Sequence, residues 1–153
     1  MISVQTEDFD FANEYQALRS GYPQSGAIVM FAGLVRDFSE NTQVSGMTLE
    51  HYPGMTERVL NHIAEQAKTR WTLDGIRIIH RVGKLHATDQ IVLVGVSSAH
   101  RIAAYEASQY IMDILKTEAP FWKKETTSSS QGDQDERWVD AKTSDSDQAK
   151  NWK

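Results

Sequence analysis

The sequence predicts a single α+β domain with a mixed or antiparallel β-sheet. Strand-like and helix-like segments follow each other in the order strand, helix, strand, strand, helix, strand, strand, helix, strand, strand. Two of the strand-like segments are apolar on both faces, which is typical of central strands covered on each side. The 153 residues are about the length of one domain. We therefore expect one domain over residues 1–140 and a polar tail over residues 141–153.

A short strand and a capped helix begin the chain. Residues 2–6 alternate weakly between apolar and polar side chains. Either Asp8 or Asp10 can then cap a helix that runs to about Arg19. Residues 27–35 are apolar throughout and predict the first central strand.

The middle of the chain contains a well-patterned helix between strands. The polar residues 37–46 lack periodicity and predict a loop, and residues 47–52 alternate as a strand does. Apolar side chains then recur with helical spacing over residues 55–71. Residues 75–83 form a further strand pattern, and residues 91–96 predict the second central strand.

A second amphipathic helix follows and is broken by a proline. Ser97 or Ser98 is a good N-cap for a helix that runs to Lys116 with an apolar stripe facing the core. Pro120 prevents the helix from continuing, and an extended segment with period two begins there. The remaining segments are a serine-rich loop at 126–136 and a short strand at 137–140.

Composition excludes several functional classes. The formal net charge is −5 and acidic residues are spread along the chain, which argues against a general nucleic-acid or membrane-surface binder. The absence of cysteine excludes disulfides, thiolate metal sites, thiol nucleophiles and protein-borne persulfides. The N-terminal residues lack the pattern of a signal peptide, and no stretch is long enough to span a bilayer. We expect a soluble, cytoplasmic protein.

The histidines do not predict a metal centre. His62 lies off the apolar stripe of its helix, and His80 and His86 lie in different strand segments. No second histidine or carboxylate stands at the spacing of a zinc motif. We therefore expect these to be surface and strand histidines, with no metal bound.

Basic residues at segment ends predict a local anion site, although each also has a structural interpretation. Lys116 and Lys123 lie on either side of the Pro120 bend, yet a lysine in the last helical turn suits the helix dipole and strand lysines discourage aggregation. His100 and Arg101 lie in the first turn, where an arginine beside free N–H groups can bind phosphate or carboxylate, or can simply be solvated. Arg36 either ends a strand in solvent or joins this site.

Several long strings of residues together resemble one family. They are Phe31-Ala32-Gly33-Leu34-Val35-Arg36, Leu49-Glu50-His51-Tyr52-Pro53-Gly54-Met55, Ile79-His80-Arg81-Val82-Gly83, Ser98-Ala99-His100-Arg101 and the run from Met112 through Lys116, Pro120 and Lys123 to Glu125. In this order they resemble the large, catalytic subunit of molybdopterin synthase. The likeness extends from about Gly26 to Asp140.

The resemblance implies a sulfurtransferase of molybdenum-cofactor biosynthesis. In that family cyclic pyranopterin monophosphate receives two sulfurs and becomes molybdopterin, which carries a dithiolene. The sulfur comes from the C-terminal glycine thiocarboxylate of a small ubiquitin-like subunit. Large subunits form a homodimer at the centre of a heterotetramer. The implied fold is an α/β hammerhead with an added small β subdomain, and no cofactor is implied.

Family roles are carried over to matching positions only. Lys116 and Lys123 resemble the catalytic lysines, while Arg36, His100 and Arg101 resemble residues that bind the pterin or its phosphate. Two further basic positions are Arg137, which matches a substrate-binding residue, and Lys124, where the family often has arginine. The serine-rich stretch after Glu125 also looks longer than a compact member needs. The competing interpretation is a non-catalytic anion-binding or adaptor domain of the same fold.

Overall fold

The structure is a computed structural model that describes residues 1–36, 38–39, 42–128, 134–139 and 148–152. The long helices within these residues are α1 (Phe11–Gly21), α2 (Met55–Arg70) and α3 (Arg101–Glu118). The strands are β1 (Ile2–Gln5), β2 (Ala27–Leu34), β3 (Phe38–Ser39), β4 (Thr42–His51), β5 (Gly75–Arg81), β6 (Gly83–His86), β7 (Gln90–Ser98), β8 (Phe121–Ser128) and β9 (Gln134–Val139).

The strands form two sheets. The first has the order β1-β5-β7-β2, in which β1 runs parallel to β5 and the other pairs are antiparallel. The second has the order β3-β4-β8-β9, and β6 also pairs with β4. The predicted α+β class with mixed and antiparallel pairing is confirmed. The second sheet corresponds to the small β subdomain that the resemblance implies.

Helices cover both faces of the first sheet. Because side chains alternate along β7, Val94 and Val96 face the core that α2 and α3 complete with Leu60 and Ile111. A side chain at Gly95, on the opposite face, would collide with Leu18 of α1. The apolar stripes of α2 and α3 therefore pack on one face of the sheet, as their helical periodicity predicts, and α1 packs on the other face through Leu18. Phe11 and Tyr15, which the same spacing in α1 predicts to face inward, are 40% and 42% exposed.

The position of β2 differs from the prediction of a central strand. Among the described strands it lies at one edge of the first sheet, beyond β7. Phe31 and Leu34 are accordingly 42% and 55% exposed. An apolar run shows that a strand has apolar surroundings, but the surroundings can be a partner molecule as well as the protein's own core.

The start of α3 also differs from the prediction. Ser97 and Ser98 lie within β7, and the N-cap residue is His100. The Ser97 hydroxyl accepts the N–H of Gly75 at 2.9 Å, and the Ser98 hydroxyl donates to the carbonyl of Thr72 at 2.8 Å. Both hydroxyls thus bond to backbone groups of a neighbouring segment and do not cap α3. At α1 the predicted alternatives are resolved, because the Asp10 carboxylate accepts the N–H of Asn13 at 3.1 Å.

Two predicted loops are largely strand. Residues 37–46 were expected to be a loop, whereas β3 and the first half of β4 pair there, Ser39 with Thr42 and Phe38 with Gln43. Of the loop expected at 126–136, residues 126–128 belong to β8 and residues 134–136 belong to β9, while residues 129–133 lie outside the described residues. These strands belong to a peripheral sheet, and polar sequences in such strands need not alternate in hydrophobicity.

The C-terminal residues contact the main core. Ala149 is buried in the cluster formed by α2 and α3, and Trp152 packs against Trp71 and Tyr110. The indole N–H of Trp152 donates to the buried carboxyl group of Asp113 at 2.6 Å. No helix in the part of the chain that the structure describes is long and apolar enough to cross a membrane.

Candidate functional site

The predicted bend at Pro120 joins the last turn of α3 to β8. The N–H of Ala119 still bonds to the carbonyl of Leu115 at 3.2 Å, and the helix ends there because the next residue is proline. Lys116 is exposed in this last turn. Lys123 is the third residue of β8 and is half-buried. Two amines are therefore carried by regular elements on either side of one fixed bend.

The β4–β8 ladder defines the face on which Lys123 lies. His51 pairs with Phe121, and Leu49 pairs with Lys123. Residues directly opposite in an antiparallel pair share a face, and so do residues two apart on one strand. His51, Phe121, Lys123 and the buried Leu49 consequently lie on the same face of the second sheet.

The first sheet meets this face through His80. The His80 side chain is 6% exposed, and its ring stacks on Phe121. Its Nδ1 lies 2.9 Å from the carbonyl oxygen of Arg81, so the neutral ring donates an Nδ1–H hydrogen bond there. His80 is therefore held in one orientation between the two sheets.

Electrostatics link His80 to both lysines. Burial, opposed by the hydrogen bond to Arg81 and helped by the positive charges of Lys116, Lys123 and His51, lowers the pKa of His80 to about 4. His80 is neutral at pH 7 as a result. Because both ammonium groups act on one buried ring, Lys116 and Lys123 belong to the same cationic neighbourhood.

A carboxylate orients the third member of this neighbourhood. Glu57 lies in the first turn of α2, and its Oε1 is 3.4 Å from Nε2 of His51. Its Oε2 accepts the N–H of Gly54 at 2.6 Å. Gly54 has a φ of +85°, a conformation that favours glycine, and it makes the tight turn between β4 and α2 possible. The Pro53-Gly54 turn seen in the sequence thus places Glu57 where it orients His51, which shares a face of the second sheet with Lys123.

The strand registers locate two other predicted site residues, Arg36 and Arg137. Arg36 follows β2 where Leu34 pairs with Gln90, the same end of the first sheet at which His80 pairs with Val92. It is exposed there. Arg137 lies in β9 opposite Glu125, but its side chain, like that of Lys124, lies outside the described residues.

His100 and Arg101 are remote from Lys116 within one chain. They lie at the start of α3, and Lys116 lies in its last turn. With a rise of about 1.5 Å per residue, Arg101 and Lys116 are roughly 22 Å apart along the helix axis. One chain therefore brings together Lys116 and Lys123, but it does not bring His100 or Arg101 to them.

Sequence reasoning did not assign His51 and His80 to the site. His80 was expected to be a strand histidine, and it lies in β5. Its contact with Phe121 joins two sheets, and the spacing of residues along the sequence does not indicate such a contact. His51 lies in one of the strings that carry the resemblance. Within the described residues, no cluster of three or more His, Asp or Glu side chains could hold a metal ion.

Comparisons with known proteins agree with this architecture. The sequence profile of the family described as "MoaE protein" matches residues 4–118. The molybdopterin synthase catalytic subunit of Vibrio cholerae serotype O1 is 53% identical over 151 residues, which cover 99% of this chain and 97% of that protein. The molybdopterin synthase catalytic subunit of Ralstonia nicotianae is 52% identical over 151 residues, covering 99% of this chain and 83% of that protein.

A solved structure has the same fold. The molybdopterin biosynthesis MoaE protein from Burkholderia ambifaria MC40-6 superimposes with a TM-score of 0.81 at 46% identity, over 99% of this chain and 97% of that one. The chain therefore belongs to the MoaE protein family, and the resemblance to the catalytic subunit of molybdopterin synthase is confirmed.

Proposed function

We propose that the chain is the catalytic subunit of a molybdopterin synthase, a sulfurtransferase that converts cyclic pyranopterin monophosphate to molybdopterin by forming its dithiolene. The observation that carries the proposal is that Lys116 and Lys123 lie on either side of the Pro120 bend and that the charges of both lower the pKa of the buried His80. Family membership supports the assignment of the reaction, and the lysine pair supports the assignment of the site at which it occurs. We place the reaction in the cytoplasm.

The sulfur arrives on a partner. The chain has no cysteine and cannot itself carry a persulfide or a thiolate nucleophile. We infer that the donor is the C-terminal glycine thiocarboxylate of a small ubiquitin-like subunit, whose tail reaches the lysine pair. The thiocarboxylate sulfur bonds to a side-chain carbon of the pterin while a carbon–oxygen bond at that carbon breaks, and the oxygen leaves as water or as an oxygen of the phosphate ester. Water then hydrolyses the resulting thioester. Sulfur remains on the pterin and the glycine leaves as a carboxylate.

Lysine side chains suit both parts of this chemistry. An ammonium group stabilises the oxyanion that forms when water attacks the thioester carbonyl. A neutral amine can move the protons that this attack releases. Both roles require the Nζ atom close to the reacting carbonyl carbon, and a pair of lysines on rigid elements can supply one amine for each role.

The substrate phosphate requires further positive charge. We assign Arg36, His100, Arg101 and Arg137 to binding of the pterin or its phosphate. Arg36 leaves the first sheet at the end that carries His80, which suits this role. His100 and Arg101 lie at the opposite end of α3 from Lys116 and therefore need a second chain.

We propose that a homodimer completes the site. Ile102 and Tyr105 on α3 are 66% and 64% exposed, and the exposed Phe31 lies on the neighbouring edge strand β2. A two-fold axis perpendicular to α3 would pack this apolar surface against its copy and set the two helices antiparallel. If the axis passes near the middle of α3, Arg101 of one chain lies near Lys116 of the other. A small subunit at each end gives a heterotetramer.

A reconstituted reaction tests this function. The purified chain is mixed with a thiocarboxylated ubiquitin-like partner and cyclic pyranopterin monophosphate, and the dithiolene product is measured. We expect molybdopterin to form in proportion to the thiocarboxylate supplied, two sulfurs for each pterin. Tight binding of both components without any product would instead identify an adaptor domain and contradict the proposal.

A further inference from the structure

The Thr56 hydroxyl connects the two chain segments that meet at the lysine pair. Thr56 is the second residue of α2 and is completely buried. Its Oγ1 accepts the backbone N–H of Tyr52 at 3.0 Å and donates to the carbonyl oxygen of Pro120 at 3.0 Å. One buried side-chain group is thus satisfied as an acceptor and as a donor by two separate parts of the backbone.

The hydroxyl takes the place of a missing ladder bond. The register of β4 and β8 ends at the pair His51 and Phe121, and one more step would place Tyr52 opposite Pro120. In a continued ladder the N–H of Tyr52 could bond directly to the carbonyl of Pro120. Instead, Thr56 is inserted between them. Its own N–H bonds to the Tyr52 carbonyl at 2.9 Å, which fixes the start of α2 in this position.

The orientation of the Pro120 carbonyl determines where β8 begins. The proline ring fixes φ of Pro120, whereas rotation about ψ turns the carbonyl and the following strand together. The N–H of Phe121 bonds to the Ala119 carbonyl at 3.0 Å and restrains this rotation locally, and the Thr56 hydroxyl anchors the Pro120 carbonyl to a separate part of the chain. Lys116 precedes this peptide in α3, and Lys123 follows it in β8. A hydrogen bond that holds the carbonyl therefore also holds the relative position of the two lysines.

We propose that Thr56 is a positioning residue that sets the place of Lys123 relative to Lys116 through the Pro120 carbonyl. It acts on the lysines without contacting the reacting atoms. The proposal deepens the proposed function and rests on it for the kinetic measurements. Rates are sensitive to such placement, since a displacement of about 1 Å can cost about 100-fold.

Three substitutions distinguish positioning from simple stabilisation. Thr56→Val keeps the shape and removes the hydroxyl, Thr56→Ser keeps the hydroxyl, and Leu18→Ala is a destabilising control on the opposite face of the first sheet. All are assayed at a temperature at which each is fully folded. We expect Thr56→Val to lower kcat by about 10-fold to 100-fold with KM for the pterin within about twofold. Thr56→Ser and Leu18→Ala should keep kcat near the wild-type value.

A second variant keeps the test decisive if Thr56→Val does not fold. Pro120→Gly frees the same bend without removing the hydroxyl. We expect it to lower kcat with little change in KM, as Thr56→Val does. An unchanged kcat in either folded variant, or an equal loss in Leu18→Ala, would overturn the proposal.

Crystal structures of the wild-type chain and the Thr56 variants give a readout that needs no activity. We expect the Pro120 carbonyl and the Lys123 Cα atom to shift relative to α3 in Thr56→Val and to stay in place in Thr56→Ser. An unshifted Thr56→Val structure would overturn the positioning role. If the wild-type chain made no molybdopterin, the proposed function would be wrong. The crystal structures would still show whether the Thr56 hydroxyl positions the Pro120 carbonyl and Lys123.

Discussion

The imidazole of His80 lies nearly parallel to the phenyl ring of Phe121, with ring centroids 3.9 Å apart and an interplanar angle of 21°. His80 belongs to β5 of the first sheet, and Phe121 is the first residue of β8 in the second. This contact joins the two sheets two residues before Lys123. A charged imidazole there would be buried beside two ammonium groups, so the ring has to stay neutral for the sheets to meet.

The first prediction concerns acid stability. The pKa of His80 is lowered to about 4 in the folded protein, from about 6.5 in the unfolded chain. Between these values the unfolded state binds the additional proton, so the free energy of unfolding falls as the pH drops from 6.5 to 4. The fall attributable to His80 is at most roughly 3 kcal/mol.

Urea unfolding of the wild-type chain and of His80→Phe across this pH range measures the effect. The variant keeps an aromatic ring against Phe121 and cannot titrate. We expect the difference in unfolding free energy between the two proteins to change with pH in this window and to be constant above about pH 7. Parallel curves throughout would mean that His80 is not buried as a neutral ring.

The second prediction concerns the origin of the substrate-binding groups. Chains carrying Lys116→Ala and Arg101→Ala are co-expressed with different tags, and the mixed dimer is purified. If each site takes Lys116 from one chain and Arg101 from the other, the mixed dimer has one intact site of two and about half of the wild-type activity.

Each parent homodimer serves as the control and should be strongly impaired. A mixed dimer as inactive as its parents would place Lys116 and Arg101 in the same site of a single chain. That result would contradict the antiparallel arrangement of α3 across the dimer.

The third prediction concerns the C-terminal residues. Trp152→Phe keeps the ring between Trp71 and Tyr110 and removes the N–H that bonds to the buried Asp113. We expect the free energy of unfolding to fall by roughly 1–3 kcal/mol, because a buried polar group loses a donor. Urea denaturation measures the change.

Trp71→Phe is the matched control. Its indole N–H bonds to the exposed Glu106 at 2.8 Å, where water can replace the lost donor. We expect a loss below about 1 kcal/mol. If the Trp152 variant were no less stable than this control, the contact with Asp113 would contribute nothing to stability.

The sequence predicted those elements whose periodicity reflects burial. The stripe on α3 predicts that Ala104, Ala107 and Ile111 face the core, and all three are buried. The break at Pro120 and the change to period two placed Lys116 and Lys123 on two adjoining elements. These features depend only on residues that are close in sequence, so the local pattern is sufficient to predict them.

Features that depend on strand order could not be predicted in this way. The apolar run of β2 indicates apolar surroundings but does not reveal that β2 is an edge strand. The stacking of His80 on Phe121 depends on how two sheets meet, and the roughly 22 Å between Arg101 and Lys116 depends on the helix axis. Motif matching placed these residues in one site without indicating that a single chain cannot bring them together.

The central claim is that the paired lysines carry the sulfur transfer, and the most direct test is the single-turnover rate of Lys116→Ala with thiocarboxylated partner and pyranopterin. We predict a loss of at least about 100-fold, as expected when a group that stabilises an oxyanion is removed. Lys116 is exposed, so the free energy of unfolding should change little. Product formation at the wild-type rate would contradict the account.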